Sequence, residues 1–363
     1  MSKLFESLSF TRGPAMENRF MLAPLTNTMS HADGTLSDEE FNWLTMRAKG
    51  GFGLTMTCAA YVHPLGQGFP GQLGVFSDDH IPGLTRLAAA IKSHGSVASL
   101  QLHHGGMRAE PEVIGERPVC PSNHAETNAR AMTLEEVKQL REYFIAAAER
   151  AKRAGFDGVE IHGAHGYMIC QFLSPSINQR TDAYGGSLDN RARILFEIVA
   201  GIRERCGDDF QIGVRLSAEM FDLKLMEVRQ VAQQLMSEGQ IEFLDMSLWD
   251  VFKEPLEEEF QGRSLMSYFT ELDRGNTRLG VAGKINDASD AAACLDMGCD
   301  FVLLGRAAII NHDFPNLLKE NPEFVPPTRP VGEELLIREG ASGKFLDYLS
   351  IWKDTFTLNR STS

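Results

Sequence analysis

The chain has 363 residues, of which 43% are hydrophobic and 23% charged, and its formal net charge is −14. This composition is typical of a folded protein with one large α/β domain or two ordinary ones, and it excludes a disordered chain. The excess of acidic residues argues against nucleic acid as a partner.

Two further classes of protein are disfavoured. No apolar run is long enough to cross a membrane, and the N-terminal residues MSKLFESLSF lack the apolar centre of a signal peptide. The six cysteines are scattered without C-x-x-C spacing, which argues against a zinc ribbon, an iron–sulfur cluster or a disulfide framework. We therefore expect a cytoplasmic protein with no membrane partner and no metal site.

Strand-like apolar runs alternate with amphipathic helical stretches along the chain. The predicted strands are Phe20–Ala23, Phe52–Cys58, Val97–Leu102, Phe156–Ile161, Gln211–Leu216, Phe243–Ser247, Arg278–Ala282 and Phe301–Leu304. The predicted helices are Asp38–Lys49, Ile81–Ser93, Thr133–Ala154, Leu188–Arg205, Leu225–Ser237, Leu265–Asp273 and Ala288–Met297. Such alternation indicates parallel strands, and eight of them in a chain of this length predict a (β/α)8 TIM barrel.

No repeat or low-complexity linker interrupts this alternation. We therefore predict one barrel domain over residues 1–363, with a C-terminal tail from about residue 331 to residue 363. A helical stretch is predicted in the tail near Phe345–Thr355.

Polar or glycine-rich residues follow seven of the eight predicted strands, and in barrels the functional residues gather at these carboxyl ends. In chain order they are Ala23-Pro24-Leu25-Thr26, Ala59-Ala60, Gln101, His162 with His165 and Tyr167, Arg215, Gly283-Lys284, and Gly305-Arg306. Random placement would not give this distribution, so it supports the barrel prediction.

The segment after the fourth strand carries the most chemistry. Neutral imidazoles of His162 and His165 could each donate an N–H to a substrate oxygen that gains negative charge, and the hydroxyl of Tyr167 could protonate a neighbouring carbon. None of these groups supplies a hydride, so a reduction would need a cofactor. Two alternatives stay open, namely hydrogen-bonded polar groups at a strand end, and a metal site that also uses Glu160.

The last two strand ends are typical of a phosphate site. Gly283 and Gly305 permit close approach of a ligand to the backbone, and Arg306 offers a fork-shaped cation. The alternative is a strand that simply ends in a surface salt bridge.

A longer motif resembles a known family. The chain reads His162-Gly-Ala-His165-Gly-Tyr167, then Gln171-Phe-Leu-Ser-Pro175, then Asn178-x-Arg180-x-Asp182-x-Tyr184-Gly-Gly-Ser187 and Asn190-Arg191. About thirty positions with this spacing are similar to the hallmark segment of the old yellow enzyme family, the FMN-dependent ene-reductases built on a (β/α)8 barrel.

The resemblance implies roles for individual residues. Those expected to bind FMN are Ala23, Pro24, Leu25, Thr26, Ala60, Gln101, Arg215, Gly283, Lys284, Gly305 and Arg306. His162 and His165 are expected to hold the substrate oxygen, and Tyr167 to donate the proton. The implied reaction takes a hydride from NADPH or NADH to FMN, and then to the β-carbon of an activated alkene that carries a carbonyl or nitro group.

The chain departs from one subfamily, which has cysteine at the position of Thr26 and a tyrosine near Thr28. In some members the C-terminus reaches the active site of a neighbouring subunit, so a homo-oligomer and a role for Arg360 are compatible with the resemblance. Two other functions stay open. One is a metal-dependent TIM-barrel lyase or hydrolase that uses Glu160, His162 and His165, and the other is a non-catalytic flavin-binding barrel.

Overall fold

A closed barrel of eight parallel strands forms the centre of the molecule, whose computed structural model describes residues 2–358. The strands are β1 (Phe20–Leu22), β2 (Leu54–Tyr61), β3 (Val97–His103), β4 (Gly158–Gly163), β5 (Gln211–Ser217), β6 (Phe243–Ser247), β7 (Arg278–Ala282) and β8 (Phe301–Leu304). Each strand pairs with its neighbours in chain order, and β1 pairs with β8 to close the ring. The predicted (β/α)8 TIM barrel is confirmed.

Six helices of nine or more residues surround this barrel within the described range. They are α1 (Asp38–Lys49), α2 (Ile81–Ser93), α3 (Leu134–Arg153), α4 (Leu188–Cys206), α5 (Leu225–Glu238) and α6 (Ala288–Asp296). Thr133 caps α3 through a capping box with Glu136, and Ser37 accepts a hydrogen bond from the backbone N–H of Glu40 at the start of α1. Both helix starts therefore lie where the sequence predicts them.

Large rings fill the amino-terminal half of the barrel. Phe243 on β6 and Phe301 on β8 pack edge to face, with ring centroids 5.9 Å apart, and both are fully buried. Space for them comes from glycine on the neighbouring strands, because a Cβ added to Gly213 or Gly280 would lie within 2.4 Å of one of these rings. The carboxyl-terminal half of the barrel is thereby left for polar side chains.

The structure differs from the prediction at several element boundaries. The helix predicted at Leu265–Asp273 is a single turn at Ser267–Thr270, because the buried apolar residues Met266 and Leu272 lie in the flanking loops and only Phe269 lies in the turn. Five short α-helices within the described range were not predicted, at Pro111–Ile114, Met168–Leu173, Arg306–Ile310, Phe314–Glu320 and Glu333–Arg338. Strand β2 runs three residues beyond its predicted end, past a register shift between Met56 and Ala59.

The tail packs against the outside of α1 and returns to the barrel mouth. Val331–Gly332 pairs in parallel with Phe356–Thr357, and the helix Gly343–Leu349 lies between them. The Phe345 ring meets Trp43 of α1 edge to face at 5.5 Å. The predicted helix is therefore confirmed only over its first half, and Arg360 lies outside the described residues.

No helix among residues 2–358 is both long enough and apolar enough to span a bilayer.

Substitution of Gly280 tests the packing inside the barrel. In Gly280→Ala the new Cβ would lie 2.3 Å from the buried Phe301 ring, so we expect a loss of about 1–3 kcal/mol in the free energy of unfolding, measured by urea denaturation. Gly332→Ala is the matched control, since no heavy atom lies within 4 Å of its added Cβ. Equal stability of the two variants would contradict this account of the barrel interior.

Candidate active site

A cavity of about 1030 Å³, measured out to its open mouth, lies at the carboxyl ends of the strands. Ten of the residues predicted from the sequence line it, namely Ala23, Pro24, Leu25, Thr26, His165, Arg215, Gly283, Lys284, Gly305 and Arg306. They come from five different strand ends, which the closure of the barrel brings together.

Four predicted residues lie behind this lining. Ala60 is buried in the apolar core around the barrel, and Gln101 is buried inside the barrel with its amide on Glu160. His162 contacts Tyr167 on one side and His165 on the other, and neither His162 nor Tyr167 lines the cavity itself. The predicted set is therefore one continuous group of residues, but only part of it forms the cavity wall.

The histidines and the tyrosine form a compact cluster at the end of β4. Nδ1 of His165 lies 3.3 Å from Nε2 of His162, and the ring of Tyr167 meets that of His162 edge to face at 5.1 Å. The backbone N–H of His165 donates to the Ser217 hydroxyl at 3.0 Å. The ring atom Nε2 of His165 lies 2.7 Å from the Ser247 hydroxyl oxygen. Two strand ends besides β4 therefore fix the orientation of His165.

Burial keeps both imidazoles neutral. It lowers the pKa of His162 and of His165 well below 6.5, and the positive charge of Arg215 acts in the same direction on both. A neutral imidazole carries one N–H donor and one acceptor nitrogen. The pair can therefore donate hydrogen bonds to an oxygen that gains negative charge, without bringing a positive charge into the cavity.

A buried charged group lies beneath this cluster, inside the barrel. Nε of Arg215 lies 2.8 Å from Oδ2 of Asp245, and the Gln101 amide donates to Oε1 of Glu160 at 2.7 Å. Burial raises the pKa of the Glu160 carboxyl, and the negative charge of Asp245 raises it further. Arg215 thus has an ion-pair partner inside the barrel and also reaches the cavity wall.

The other end of the cavity combines glycines with cations. Gly283 has φ +147°, and an added Cβ would lie 2.7 Å from the carbonyl carbon of Trp249, so the backbone there excludes a side chain. Lys284 lies 3.1 Å from Asp250, and Arg306 lies 3.7 Å from the largely exposed Asp354. These are surface ion pairs of the kind that contributes little, so an anion could replace them at small cost.

Some cavity residues escaped the sequence prediction. Tyr348, Trp352 and Phe356 of the tail form one wall of the cavity, which Thr26 also lines. Ser247 and Trp249 come from the end of β6, the one strand for which no site residue was predicted. The i, i+4 spacing of Tyr348 and Trp352 is typical of one helix face, but the helix ends at Leu349, and only the fold reveals that both side chains reach the barrel mouth.

Taken together, these features fit an elongated ligand with a planar ring and a phosphate. Ala23, Pro24 and Leu25 provide small or flat apolar contacts, Arg215 provides a cation for a polar ring edge, and the glycines with Arg306 provide an anion site. FMN has these three features, a planar ring, a polar ring edge and a phosphate. By contrast, no group of three or more potential ligands among His, Cys, Asp and Glu lies close enough to hold a metal ion within the described range.

Comparison with known proteins gives a family match over most of the chain. Residues 3–323 match the model of the NADH:flavin oxidoreductase / NADH oxidase family. A protein named probable NADH-dependent flavin oxidoreductase YqiG, from Bacillus subtilis, is 36% identical over 88% of this chain and 88% of its own length. An NADPH dehydrogenase of Halalkalibacterium halodurans is 35% identical over 86% of this chain and 93% of its own.

A longer relative and two solved structures extend the comparison. The NADH:fumarate oxidoreductase of Klebsiella pneumoniae is 34% identical over 86% of this chain, which spans only 35% of that protein. The old yellow enzyme homologue from Zymomonas mobilis has a TM-score of 0.77 at 27% identity, covering 92% of this chain and 96% of that one. Morphinone reductase in complex with tetrahydroNAD also has a TM-score of 0.77, at 28% identity over 98% of each chain.

The buried carboxyl of Glu160 predicts a pH dependence of stability. Its raised pKa means that the folded protein holds a proton that the unfolded chain has lost above about pH 4.5, so stability falls as the pH rises from there. Glu160→Gln should flatten the pH dependence of the free energy of unfolding between about pH 5 and pH 8. Chemical denaturation at a series of pH values measures this slope.

Glu136→Gln is the matched control for this slope. The hydrogen bond from Arg130 lowers the pKa of Glu136 to about 2, so its carboxylate is ionised in both states across that range. This variant should displace the whole stability curve and leave its slope unchanged. An unchanged slope in Glu160→Gln would contradict the buried, protonated carboxyl.

Proposed function

The chain belongs to the NADH:flavin oxidoreductase / NADH oxidase family and is an NAD(P)H-dependent flavin oxidoreductase that uses FMN, and from this premise we propose that it reduces activated alkenes. The proposed substrate is a small molecule with a C=C bond next to a carbonyl or nitro group. The observation that carries the proposal is the neutral His162–His165 pair with Tyr167 beside it, a cluster that borders the cavity through His165.

FMN, when bound, supplies the two-electron chemistry, since it can accept a hydride from NAD(P)H and pass one to a carbon atom. The chain's own residues hold the substrate and move the proton. We assign to His162 and His165 the hydrogen bonds to the carbonyl or nitro oxygen, where negative charge develops. We assign to Tyr167 the transfer of its hydroxyl proton to the carbon next to the activating group, while hydride adds to the β-carbon.

Cofactor contacts are proposed for the remaining predicted residues. Ala23, Pro24, Leu25 and Thr26 would flank the ring, and Arg215 would face its polar edge, where a fixed positive charge stabilises negative charge on the ring. The phosphate would lie at the other end of the cavity, on Gly283, Lys284, Gly305 and Arg306. Ala60 and Gln101 would support the ring side of this arrangement from behind the lining.

The organisation of the chain is also part of the proposal. We treat residues 1–363 as one FMN-binding domain, in which the tail from about residue 331 completes the cavity. A cytoplasmic location and a small-molecule substrate fit this assignment, and a homo-oligomer is compatible with it.

The first experiment is the visible absorption spectrum of the purified protein after FMN is added and the excess removed. Under anaerobic conditions NADPH or NADH should bleach the flavin band, and 2-cyclohexenone should restore it. A band that bleaches but does not return with any enone or nitroalkene would overturn the substrate proposal while leaving the flavin oxidoreductase assignment intact.

Tyr167→Phe should separate the two halves of the reaction. Loss of the hydroxyl proton should slow return of the flavin band with the enone by about 100-fold, because a general acid contributes at least that much. Bleaching by NADPH should be nearly unchanged, since that step needs no proton from Tyr167. Stopped-flow absorbance measures both rates.

Tyr143→Phe is the matched control for this substitution. Among the described residues its hydroxyl hydrogen-bonds only to Gln139, one turn earlier on α3, so both rates should match those of the parent protein. Equal slowing of both steps in Tyr167→Phe would contradict the role of proton donor.

A further inference from the structure

His103 is a third histidine beside the active-site cluster, and the function proposed above gives it no role. It is the last residue of β3, two positions after Gln101, and it is fully buried. Its ring meets that of Tyr167 edge to face at 4.4 Å and that of His162 at 5.4 Å. Of the two rings, Tyr167 is therefore the nearer neighbour.

A glutamine fixes the position of the proton on His103. The backbone N–H of Gly68 donates to Oε1 of Gln72 at 2.7 Å, and Nε2 of Gln72 donates to the carbonyl of Ala59 at 2.8 Å. These two backbone partners identify which end of the amide is oxygen and which is nitrogen. The same Nε2 lies 3.0 Å from Nδ1 of His103, so Gln72 presents a donor to that nitrogen.

Nδ1 of His103 must therefore be the acceptor, and the ring proton must lie on Nε2. A doubly protonated ring is excluded, because burial and the nearby charge of Arg108 lower the pKa of His103 to about 3. The ring is thus neutral at physiological pH, with its single N–H on the side away from Gln72.

This Nε2–H has no hydrogen-bond partner among the described residues, although it is buried. Buried polar groups are nearly always paired, so an unpaired donor next to reacting groups needs an explanation. Cε1 of His103 is covered by Gly68, where an added Cβ would lie 3.3 Å away. Nδ1 faces Gln72 and Cε1 faces Gly68, so we place the donor on the side of the neighbouring rings of Tyr167 and His162.

Tyr167 acquires negative charge when its proton leaves, and few groups near it can stabilise that charge. The guanidinium of Arg108 lies 4.6 Å from the centre of the Tyr167 ring. Arg108 is exposed, however, so solvent weakens its attraction for a negative charge. From the other elements packed here, Tyr348 of the tail and His162 of β4 face it, and both are neutral. Within the described part of the chain, His103 is the buried member of this group whose ring nitrogen has no hydrogen-bond partner.

We propose that His103 is a positioning residue that orients the ring of Tyr167 and stabilises the negative charge on its oxygen after proton transfer. This inference rests on the proposed role of Tyr167. In that step the O–H bond of Tyr167 breaks, its electron pair stays on the oxygen, and the proton goes to the substrate carbon. The N–H of His103 stays intact throughout, and water returns the proton to Tyr167 afterwards.

The first test is the tautomer of His103 in the FMN-loaded protein. Nitrogen NMR of labelled histidine, assigned by comparison with His103→Gln, should give a protonated Nε2 and an unprotonated Nδ1 from neutral to mildly acidic pH. Gln72→Leu removes the donor that faces Nδ1 of His103, so both tautomers of His103 should be populated. A proton on Nδ1 in the parent protein would overturn the proposal.

The second test is the pH dependence of enone reduction by pre-reduced enzyme. His103→Phe keeps a flat ring but removes the donor, so the maximal rate should fall roughly 10-fold and the alkaline limb should move up by about one pH unit. The side chain of glutamine in His103→Gln can place an amide N–H near the position of the imidazole donor. This variant should therefore have a maximal rate and an alkaline limb that lie between those of the parent and those of His103→Phe. A merely structural role would lower the rate or the yield of folded protein without moving the alkaline limb.

A buried histidine next to His103 provides the matched control. His104 is equally shielded, but it stacks towards His63 on the other side of β3 and makes no ring contact with Tyr167. His104→Phe should leave the alkaline limb where it is in the parent. An identical limb in His103→Phe and His104→Phe would overturn the inference.

The failure of this inference differs from failure of the proposed function. If Tyr167 is not the proton donor, Tyr167→Phe will leave enone reduction intact, whatever His103 does. If only the role of His103 is wrong, Tyr167→Phe will still slow that step, while His103→Phe will show the parent's pH profile. Should His103→Phe not fold, the tautomer measurement and His103→Gln still decide the question.

Discussion

Removal of water from charged side chains inside the barrel is the constraint on which the active-site chemistry depends. Arg215 and Asp245 are both nearly inaccessible to solvent and lie together, so neither charge is left unpaired. The same burial, with Arg215 nearby, keeps the histidines at the end of β4 uncharged. A wetter barrel mouth would let these imidazoles take up protons and would weaken every hydrogen bond across the cavity.

Much of the fold follows from local patterns in the sequence. β6, β7 and β8 have the predicted limits, and each is a short stretch rich in apolar residues that follows a polar residue, namely Glu242, Thr277 and Asp300. Thr26, Arg215 and Gly305 were predictable as site residues because each lies at or just beyond the carboxyl end of a strand, and barrel closure brings these ends together. The helix predicted at 265–273 was wrong because buried loop residues imitate the helical period.

The rest of the site depends on contacts between distant parts of the chain. Tyr348 is more than three hundred residues from Thr26 in sequence, and no local pattern indicates that both line the same cavity. The pairing of Gln72 with His103 likewise joins a loop to a strand end. Ala60 and Gln101 show the opposite effect, since their sequence positions suggest a cavity wall although both lie behind it.

The tail that walls the cavity also affects the order in which the molecule is assembled during synthesis. Every barrel strand precedes Tyr348, Trp352 and Phe356 in the chain, so all eight strands leave the ribosome before these residues do. Nascent domains begin to fold while the rest of the chain is still being made. A barrel that has already closed would therefore present FMN with a groove open on one side, and the emerging tail would turn that groove into a pocket.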